Sequence, residues 1–336
     1  MSIDSAGSSI QFLNGGEVEA LLRGRESAIL EAVEEAYLAH GRGESSLPHS
    51  GFLRFPNQPS DRIISLPAFL GGGFQVAGMK WIASFPGNVQ KGLPRASAVM
   101  VLNSCETGFP VAMMEASAVS ACRTAASAAL AAKRLMAAPA DCAGLIGTGV
   151  INREVARFLR VVAPELRRFM VFDLNRERAQ AFADALPAFL EGAVAEVAPS
   201  VEALYERCSL ISYATTAGTP HVDSLDRCPP RTVILHVSLR DLAPRLILEA
   251  NNVVDDVDHV CRAQTSIHLT EQEVGHRDFI WCALPELLSG QAPPPPHPEG
   301  RMIFSPFGLG ILDLAVGQQV CRWAEERGLG IRLPWL

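Results

Sequence analysis

Two short stretches of the sequence place acidic side chains and glycines where parallel strands would end. The first, GLIGTGVINREVARFL (residues 144–159), puts Gly147 and Gly149 between an apolar strand and the start of a helix. A turn of this kind lets a pyrophosphate approach the backbone at a helix N-terminus. Asn152 replaces the third glycine of the dinucleotide fingerprint, so an ordinary strand–helix turn is the alternative interpretation.

An acidic residue at the end of the next predicted strand supports a nucleotide site. The strand RFMVFDL contains Asp173, close to the offset expected for the carboxylate that binds the adenosine ribose hydroxyls. A carboxylate there repels a 2′-phosphate, although Arg176 lies near enough to weaken the effect. We therefore expect the cofactor to be NAD rather than NADP.

The second stretch is SLRDLAPR, in which Asp241 follows the strand-like run TVILHVSL. The carboxyl ends of strands in an open parallel sheet face the ligand crevice, so Asp241 is a candidate for proton transfer. Its alternative role is to cap the helix that follows. His268 and Glu271 in TSIHLTEQ are further candidates for acid–base chemistry.

Several cations lie outside charge runs and indicate an acidic ligand. Lys80 follows an apolar strand, and Arg54 and Arg95 lie among apolar and turn-forming residues, where a guanidinium needs an anionic partner. Internal salt bridges are the alternative. Arg123 and Thr124 open a long alanine-rich helix, whose N-terminus could hold a phosphate or carboxylate. The pattern predicts a small acidic substrate.

The elements that position these residues change in character along the chain. Helical spacing near the start is followed by strands, by a hairpin around Glu106–Pro110 and by the alanine-rich helix from about Ser120 to Met136. From Cys142 onward strands alternate with helices, which predicts a parallel sheet covered on both faces. A proline-rich segment precedes a final glycine turn and helix that could pack back on the first region.

We therefore predict an α/β protein with a central Rossmann-type doubly wound sheet over residues 125–302. An α+β domain for substrate binding and dimerisation is expected from both chain ends, residues 1–124 and 303–336.

Composition excludes several classes of function. The 336 residues include 29 Lys+Arg and 36 Asp+Glu, which is not the basic footprint of a nucleic-acid-binding protein. The 8 cysteines are scattered without metal-ligand spacing, which favours free thiols in a reducing cytoplasm and predicts no metal site. Neither a signal peptide nor a membrane span is apparent, so we expect a cytoplasmic protein.

Over essentially its whole length the sequence resembles the ornithine cyclodeaminase/mu-crystallin family. The resemblance is carried by Lys80, by the GLP and TGFP segments, by ACRTAASAALAAKRL, by GTG at 147–149 and by FGLGILDLA at 307–315. It implies a homodimer with a Rossmann domain. By matching motifs, Lys80 would bind a substrate carboxylate, Asp241 would be the acid–base residue, and Phe307 and Gly308 would close the pocket. The residues expected to hold NAD are Arg123, Thr124, Gly147, Gly149, Asn152, Asp173, Thr215 and Ser238.

Within the family, the sequence is most similar to the branch that oxidises N-(2-amino-2-carboxyethyl)-L-glutamate and releases L-2,3-diaminopropionate for siderophores or antibiotics. The matching segments are RIISLPAFL, KWIASFPGN, GLPRASAVMVLN, SLRDLAP, NNVVDDVDHV and TSIHLTEQ. This substrate has three carboxylates, which would explain the convergence of Arg54, Lys80 and Arg95. Cyclodeaminases tend to carry a glutamate where Ser65 aligns here, which argues against ornithine cyclisation. Cyclisation of ornithine or lysine, a related amino-acid dehydrogenase, and a mu-crystallin-like binding protein without turnover are the alternatives.

Overall fold

A computed structural model of the protein describes residues 9–334 and divides into two compact units. One unit, here called the split unit, contains the chain up to Arg123 and again from Leu309. The other, the continuous unit, runs from Thr124 to Gly308. The C-terminal part of the split unit is predicted from the sequence to begin at residue 303, but the strand Met302–Ser305 pairs within the continuous unit. The continuous unit therefore extends a few residues further.

The N-terminal segment supplies most of the split unit. Its elements are β1 (Ser9–Leu13), α1 (Gly15–Leu22), α2 (Glu26–Gly41), β2 (Ser45–Ser46), β3 (Gly51–Phe55), β4 (Gln58–Leu70), β5 (Val76–Ser84), β6 (Ala96–Asn103), β7 (Pro110–Glu115) and α3 (Ser117–Leu135). The predicted hairpin joins β6 to β7. The helical stretch near the start forms two helices, because Gly24 between them has a positive φ of 74°.

Strands and helices alternate through the continuous unit. Its elements are β8 (Cys142–Ile146), α4 (Val150–Val162), β9 (Arg168–Phe172), α5 (Arg176–Phe189), β10 (Val194–Val197), α6 (Val201–Arg207), β11 (Leu210–Tyr213), β12 (Val233–His236), α7 (Pro244–Leu248), β13 (Asn251–Val254), α8 (Val257–Val260), α9 (Ser266–Val274), β14 (Ile280–Ala283), α10 (Leu284–Ser289) and β15 (Met302–Ser305). The chain then returns to the split unit with α11 (Gly310–Arg327) and β16 (Ile331–Pro334).

The sheet of the split unit has the strand order β16-β1-β7-β6-β5-β4-β2, with β3 also paired to β4. Helix α11 packs closely on its β4, β5 and β6 strands. Two glycines allow this approach, since a Cβ on Gly310 would lie 3.0 Å from the Leu66 carbonyl oxygen and one on Gly317 would collide with Met100. The helix thereby brings its buried face against the strand that carries Lys80.

The sheet of the continuous unit is parallel throughout, in the order β10-β9-β8-β11-β12-β15-β13-β14. Strands β8, β11, β12, β13 and β15 are buried along their whole length, as expected for apolar strands covered on both faces. The strand order reverses between β8 and β11, which is where such sheets bind ligands. The predicted Rossmann-type α/β fold is thus confirmed. Within residues 9–334, no helix is long and apolar enough to cross a membrane.

Candidate active site

The glycine turn follows β8 at the reversal point of the parallel sheet. Gly147 has a φ of 87°, and a Cβ there would lie 2.5 Å from the carbonyl oxygen of Ala214, so only glycine fits. Gly149 is the N-cap residue directly before α4, which has no side-chain cap, and a Cβ on Gly149 would meet nothing within 4 Å. The turn therefore leaves open space against the first N–H groups of a helix, the arrangement that binds pyrophosphate.

Asp173 follows β9 and is tied directly to this turn. Its Oδ2 accepts hydrogen bonds from the backbone N–H (3.0 Å) and the hydroxyl (2.7 Å) of Thr148, and its Oδ1 accepts one from the Asn175 N–H at 3.0 Å. Burial opposes ionisation, but these hydrogen bonds prevail and the pKa of Asp173 is lowered. Asp173 is thus an ionised, half-buried acceptor beside the turn.

Asn152 is placed differently from the sequence expectation that it contacts a cofactor. Its side chain is fully buried, donates to the carbonyl oxygens of Ile146 (2.9 Å) and Gly147 (2.7 Å), and accepts from the Ser212 hydroxyl at 2.7 Å. Because both ends of the amide are engaged within the protein, the side chain fixes the glycine turn and is not available to a bound nucleotide. The expected contact is corrected to a supporting role.

Asp241 lies at the carboxyl ends of two neighbouring strands, β11 and β12, and is fully buried. Its Oδ1 accepts a hydrogen bond from Thr215 after β11, and its Oδ2 accepts one from Ser238 after β12 at 2.5 Å. The Nε2 of His236, the last residue of β12, lies 3.2 Å from the same Oδ2. The structure therefore brings Thr215 and Ser238, which the sequence analysis assigns to NAD, onto the carboxylate of Asp241.

The environment of Asp241 favours its ionised form. Burial alone would raise its pKa, but hydrogen bonds from His236, Ser238 and Thr215 lower the pKa to about 2. The alternative of a helix cap does not hold, because α7 begins after Ala243 and has no side-chain cap. Asp241 is thus an ionised, buried carboxylate that is held by side chains rather than by a helix end.

Phe307 and Gly308 are held by a residue that the sequence analysis did not select. Both carboxylate oxygens of the buried Asp255 accept backbone hydrogen bonds, from the Phe307 N–H at 2.8 Å and the Gly308 N–H at 2.6 Å. Burial nevertheless raises the pKa of Asp255. The Phe307 ring lies 6.4 Å from the ring of His259. Asp255 therefore fixes the backbone conformation of Phe307 and Gly308 at the end of the continuous unit.

His268 and Glu271, the further candidates for acid–base chemistry, are hydrogen-bonded to residues other than Asp241. Glu271 accepts a hydrogen bond from Arg277 Nε at 2.6 Å, and His268 Nδ1 accepts one from the Gln264 N–H at 3.2 Å. Both lie on α9. Their contacts are typical of a helix surface and a loop, and they give no support for a catalytic role.

In the split unit, Lys80 belongs to a buried ionic cluster. Its ammonium lies 2.8 Å from both carboxylate oxygens of Asp313 on α11 and donates to the Ser120 hydroxyl at 2.9 Å. Arg123 Nε donates to the same Asp313 at 3.0 Å. Lys80 is 1% exposed and Arg123 8%. One carboxylate thus holds two cations, and the cluster carries a net positive charge.

The charge state of Lys80 is sensitive to its neighbours. Burial and the nearby Arg123 lower its pKa to about 8, although Asp313 opposes the shift. The sequence analysis places Arg123 and Thr124 at the start of their helix, but α3 begins at Ser117, whose N–H donates to Glu115 at 2.8 Å. The helix N-terminus is therefore capped by an acid, and Arg123 acts through its side chain alone.

A row of arginines extends from this sheet face. Arg54 is opposite Arg62 in the β3–β4 pair, and Arg62 is opposite Ser84 in the β4–β5 pair, so these side chains share a face. Arg95 donates to Ser84 Oγ at 3.3 Å, which places a third guanidinium beside them. Lys80 shares the face because it lies four residues before Ser84, about 13 Å along the strand.

These three arginines, here called the arginine row, have no carboxylate partner in the described part of the chain. The Nε of Arg95 is buried without a hydrogen bond among those residues. Burial and Arg54 lower the pKa of Arg62, and burial and Arg62 lower the pKa of Arg95, because like charges crowd one another. The internal salt bridges considered as an alternative for Arg54 and Arg95 are absent from residues 9–334. The arrangement is suited to an anionic ligand.

Ser65 lies on the other face of the same strand. It is opposite Trp81, whereas Lys80 is opposite Leu66, and its hydroxyl donates to the Gly51 carbonyl at 3.5 Å. The difference from cyclodeaminases at this position is therefore not beside Lys80. The arginine row, and not Ser65, is the feature of this sheet that bears on the substrate.

Sequence reasoning missed four residues that complete these clusters. They are Arg62, His236, Asp255 and Asp313. Each is a polar residue within an apolar strand or helix, or at its end, which is a signal of a buried contact. Their partners could not be identified without the pairing of strands and helices.

The parallel sheet, the glycine turn at its reversal point and the acid after the next strand define a Rossmann-type dinucleotide-binding protein with a second, split unit. More specifically, the chain belongs to the ornithine cyclodeaminase/mu-crystallin family, whose model matches residues 11–327. This confirms the family resemblance found in the sequence.

Individual relatives cover nearly the whole chain. N-((2S)-2-amino-2-carboxyethyl)-L-glutamate dehydrogenase of Staphylococcus aureus is 25% identical over 328 residues, 96% of this chain and 97% of its own. A Delta(1)-pyrroline-2-carboxylate reductase of Thermococcus litoralis, solved with NADH and L-proline, is 25% identical, with a TM-score of 0.89 over 96% of this chain and 100% of that one. An archaeal alanine dehydrogenase dimer with bound NAD is 28% identical. Its TM-score is 0.87, and the match covers 98% of this chain and 100% of that one.

Proposed function

We propose that this protein uses NAD to oxidise the CH–NH bond of N-(2-amino-2-carboxyethyl)-L-glutamate, with hydrolysis to L-2,3-diaminopropionate and 2-oxoglutarate. The observation that carries the choice of substrate is the arginine row of Arg54, Arg62 and Arg95, on the same sheet face as Lys80 and without carboxylate partners in residues 9–334. Alanine, ornithine and lysine each have one carboxylate, which would leave most of these arginines without an anionic partner. A substrate with three carboxylates would match it.

The residues around the glycine turn fit a dinucleotide. Gly147 and Gly149 leave room for a pyrophosphate at the start of α4, and the ionised Asp173 can accept hydrogen bonds from ribose hydroxyls. NAD, when bound, accepts the hydride from the substrate. The NAD- and NADH-bound relatives support this assignment.

The cations of the split unit would bind the substrate carboxylates. We assign one carboxylate to Lys80 and Arg123, whose shared Asp313 leaves an excess positive charge, and the remaining carboxylates to the arginine row. A charge-assisted hydrogen bond is worth about 1.5–3 kcal/mol, so each such cation contributes strongly to affinity. Arg123 is thereby reassigned from the cofactor to the substrate.

Asp241 would perform the proton transfers. Loss of hydride from Cα of the glutamate half leaves an imine, to which a water molecule adds while Asp241 removes a proton from it. The same proton then protonates the leaving amine as the carbinolamine collapses. The carbinolamine hydroxyl loses its own proton as the C=O bond forms. Substrate, water and NAD would thus give 2-oxoglutarate, L-2,3-diaminopropionate, NADH and one proton. The products could supply siderophore or antibiotic precursors in the cytoplasm.

The protein would act as a homodimer. The NAD-bound archaeal relative is a dimer, and the family resemblance implies the same state. Light scattering should give about twice the 36.1 kDa mass of one chain. A concentration-independent monomer that is fully active would contradict this part of the proposal.

The decisive experiment offers NAD with N-(2-amino-2-carboxyethyl)-L-glutamate, ornithine, lysine and alanine in separate assays. NADH absorbance and the products are followed. We expect turnover of the tricarboxylate, with 2-oxoglutarate released. Formation of proline from ornithine or pipecolate from lysine would instead identify a cyclodeaminase. Formation of pyruvate from alanine would identify an alanine dehydrogenase. Ligand binding without NADH formation would identify a mu-crystallin-like protein.

A variant of the arginine row tests the reason for this choice. Arg62→Ala should lower kcat/KM for the tricarboxylate by about tenfold or more, because it removes a charge-assisted contact. Arg23→Ala removes the same charge from an exposed arginine after α1 and should change nothing. Equal kcat/KM for Arg62→Ala and the wild type would remove the arginine row from the substrate site.

A further inference from the structure

His236 is placed where it can exchange a proton with Asp241. It is fully buried at the end of β12, with Nε2 lying 3.2 Å from Asp241 Oδ2 and 3.1 Å from the Asp241 backbone nitrogen. Its Nδ1 lies 3.3 Å from the hydroxyl of Ser305 at the end of β15. Nε2 of His236 thus faces both the backbone N–H and the carboxylate of Asp241.

The two contacts of Nε2 require different protonation states. When the Asp241 N–H donates to Nε2, this nitrogen presents its lone pair and the imidazole proton lies on Nδ1, facing Ser305. Nε2 and Oδ2 are then two acceptors 3.2 Å apart. In a buried position, a proton placed between these two atoms turns their contact into a favourable one. The geometry therefore accommodates one additional proton.

On the proposed function, we infer that His236 and Asp241 form one acid–base pair in which His236 stores the proton that Asp241 removes. The proton leaves the attacking water, passes to Asp241 and reaches His236 Nε2. The imidazolium then lies against the aspartate as a buried ion pair until the proton returns through Asp241 to the leaving amine. His236 is a positioning residue, because it acts through Asp241 and not on the substrate.

The loop between the two residues is held in the required conformation. Leu239 has a φ of 70°, a left-handed backbone conformation that is strained for a residue other than glycine. The Asp241 carbonyl accepts hydrogen bonds from the His221 and Val222 N–H groups, both at 2.9 Å. The protein thus maintains a strained turn that sets Asp241 opposite His236, as is typical of functional sites.

Neighbouring titratable groups do not compete for this proton. The hydroxyls of Tyr205 on α6 and Tyr213 on β11 hydrogen bond to each other, and burial raises the pKa of both. Burial also raises the pKa of Cys228 to about 12. The Tyr213 ring meets the imidazole edge to face at 6.3 Å. These groups remain neutral at physiological pH, so the exchange is confined to His236 and Asp241.

His236→Gln provides the principal test, because glutamine can donate to Asp241 but cannot take up a proton. We expect kcat to fall by about tenfold to a hundredfold with NAD affinity unchanged. The acidic limb of the kcat/KM profile should move to higher pH, because Asp241 loses the histidine that lowers its pKa. His276→Gln, at an exposed histidine 3.5 Å from Asp278, is the matched control and should behave as wild type.

A double variant separates this role from a structural one. Because His236 acts through Asp241, His236→Gln combined with Asp241→Asn should be no slower than Asp241→Asn alone. If the kcat losses of the two single variants multiply in the double variant, His236 and Asp241 do not act as a pair. An unshifted pH profile in a folded His236→Gln enzyme would also refute the inference.

The imidazole can also be observed directly, which keeps the inference testable if the variant does not fold or if none of the four substrates is oxidised. Nitrogen NMR of the wild-type protein should find a proton on His236 Nδ1, and Nε2 as the atom that gains the additional proton on acidification. A neutral ring with its proton on Nε2 would overturn the inference. Absence of turnover with all four substrates would refute the proposed function alone.

Discussion

Replacing Asp313 with asparagine should move the alkaline limit of substrate binding to lower pH. Asparagine has almost the same size and keeps an oxygen that can accept from Lys80. The variant therefore removes a charge with little change in packing. Lys80 and Arg123 then remain buried beside each other without the carboxylate that holds both of them.

The size of the effect follows from the contact distances. Opposite charges about 4 Å apart attract by about 4 kcal/mol at an effective dielectric constant of about 20, equivalent to about 3 pKa units. The Lys80–Asp313 separation of 2.8 Å is shorter than that. With the wild-type pKa of Lys80 at about 8, loss of the carboxylate charge should bring it to about 7 or lower.

The sign of the pH dependence is set by the protonated form of Lys80, which is the form that binds a carboxylate. Its contribution is complete below its pKa and is lost as the pH rises through it. Wild-type kcat/KM should therefore fall above about pH 8. At that pH a decrease of one pKa unit lowers the protonated fraction from about one half to about one tenth, about a fivefold loss.

The measurement is kcat/KM against pH, which reports ionisations of the free enzyme. Glu325→Gln is the matched control, since Glu325 is on the same helix but pairs with Arg332 near the surface at 3.4 Å. Asp313→Glu keeps the charge and should retain the alkaline limb near its wild-type position. Breaking a buried pair can cost about 3–5 kcal/mol, so thermal unfolding is checked first. An unshifted alkaline limb in folded Asp313→Asn would show that Lys80 does not set it.

Three further variants test the continuous unit. Asp173→Ala should weaken NAD more than NADP, measured by fluorescence titration, because it removes a ribose acceptor and its repulsion of a 2′-phosphate; tighter NADP binding by the wild type would contradict this. Asn152→Ala should lower the free energy of unfolding by about 1–3 kcal/mol for each buried partner left unpaired, measured by urea denaturation. Asp255→Asn should likewise destabilise the protein, since an amide NH₂ would face the Phe307 or Gly308 N–H; unchanged stability would contradict the assigned hydrogen bonds.

Much of the fold could be predicted because its signals are local. Alternating strands and helices, the apolar strands and the glycine turn all lie within short windows of sequence. The strands at the chain ends lacked such a signal. β1 pairs with β16, which lies more than 300 residues later, and a short strand pairing at such a separation leaves no local pattern.

The candidate site was predictable only where a motif carried it. Asp241 is conspicuous because it follows a strand, whereas His236 lies inside the run TVILHVSL, where the pattern indicates only a strand. Asp313 is an isolated acid in the apolar helix sequence GILDLAVG, which signals a buried partner. That partner, Lys80, is 233 positions away, so only the packing of α11 on β5 identifies it.

Arg62 shows why substrate specificity is harder to predict than the reaction. In the sequence it follows Asp61 at the start of a strand, where a local ion pair is the simplest interpretation. The register of the β3–β4 and β4–β5 pairs instead sets it between Arg54 and Ser84. A shift of one residue would turn its side chain to the opposite face, with Ser65 and Trp81. The number of cations offered to a ligand is therefore a property of strand pairing, whereas Lys80 and Asp241 are visible as motifs.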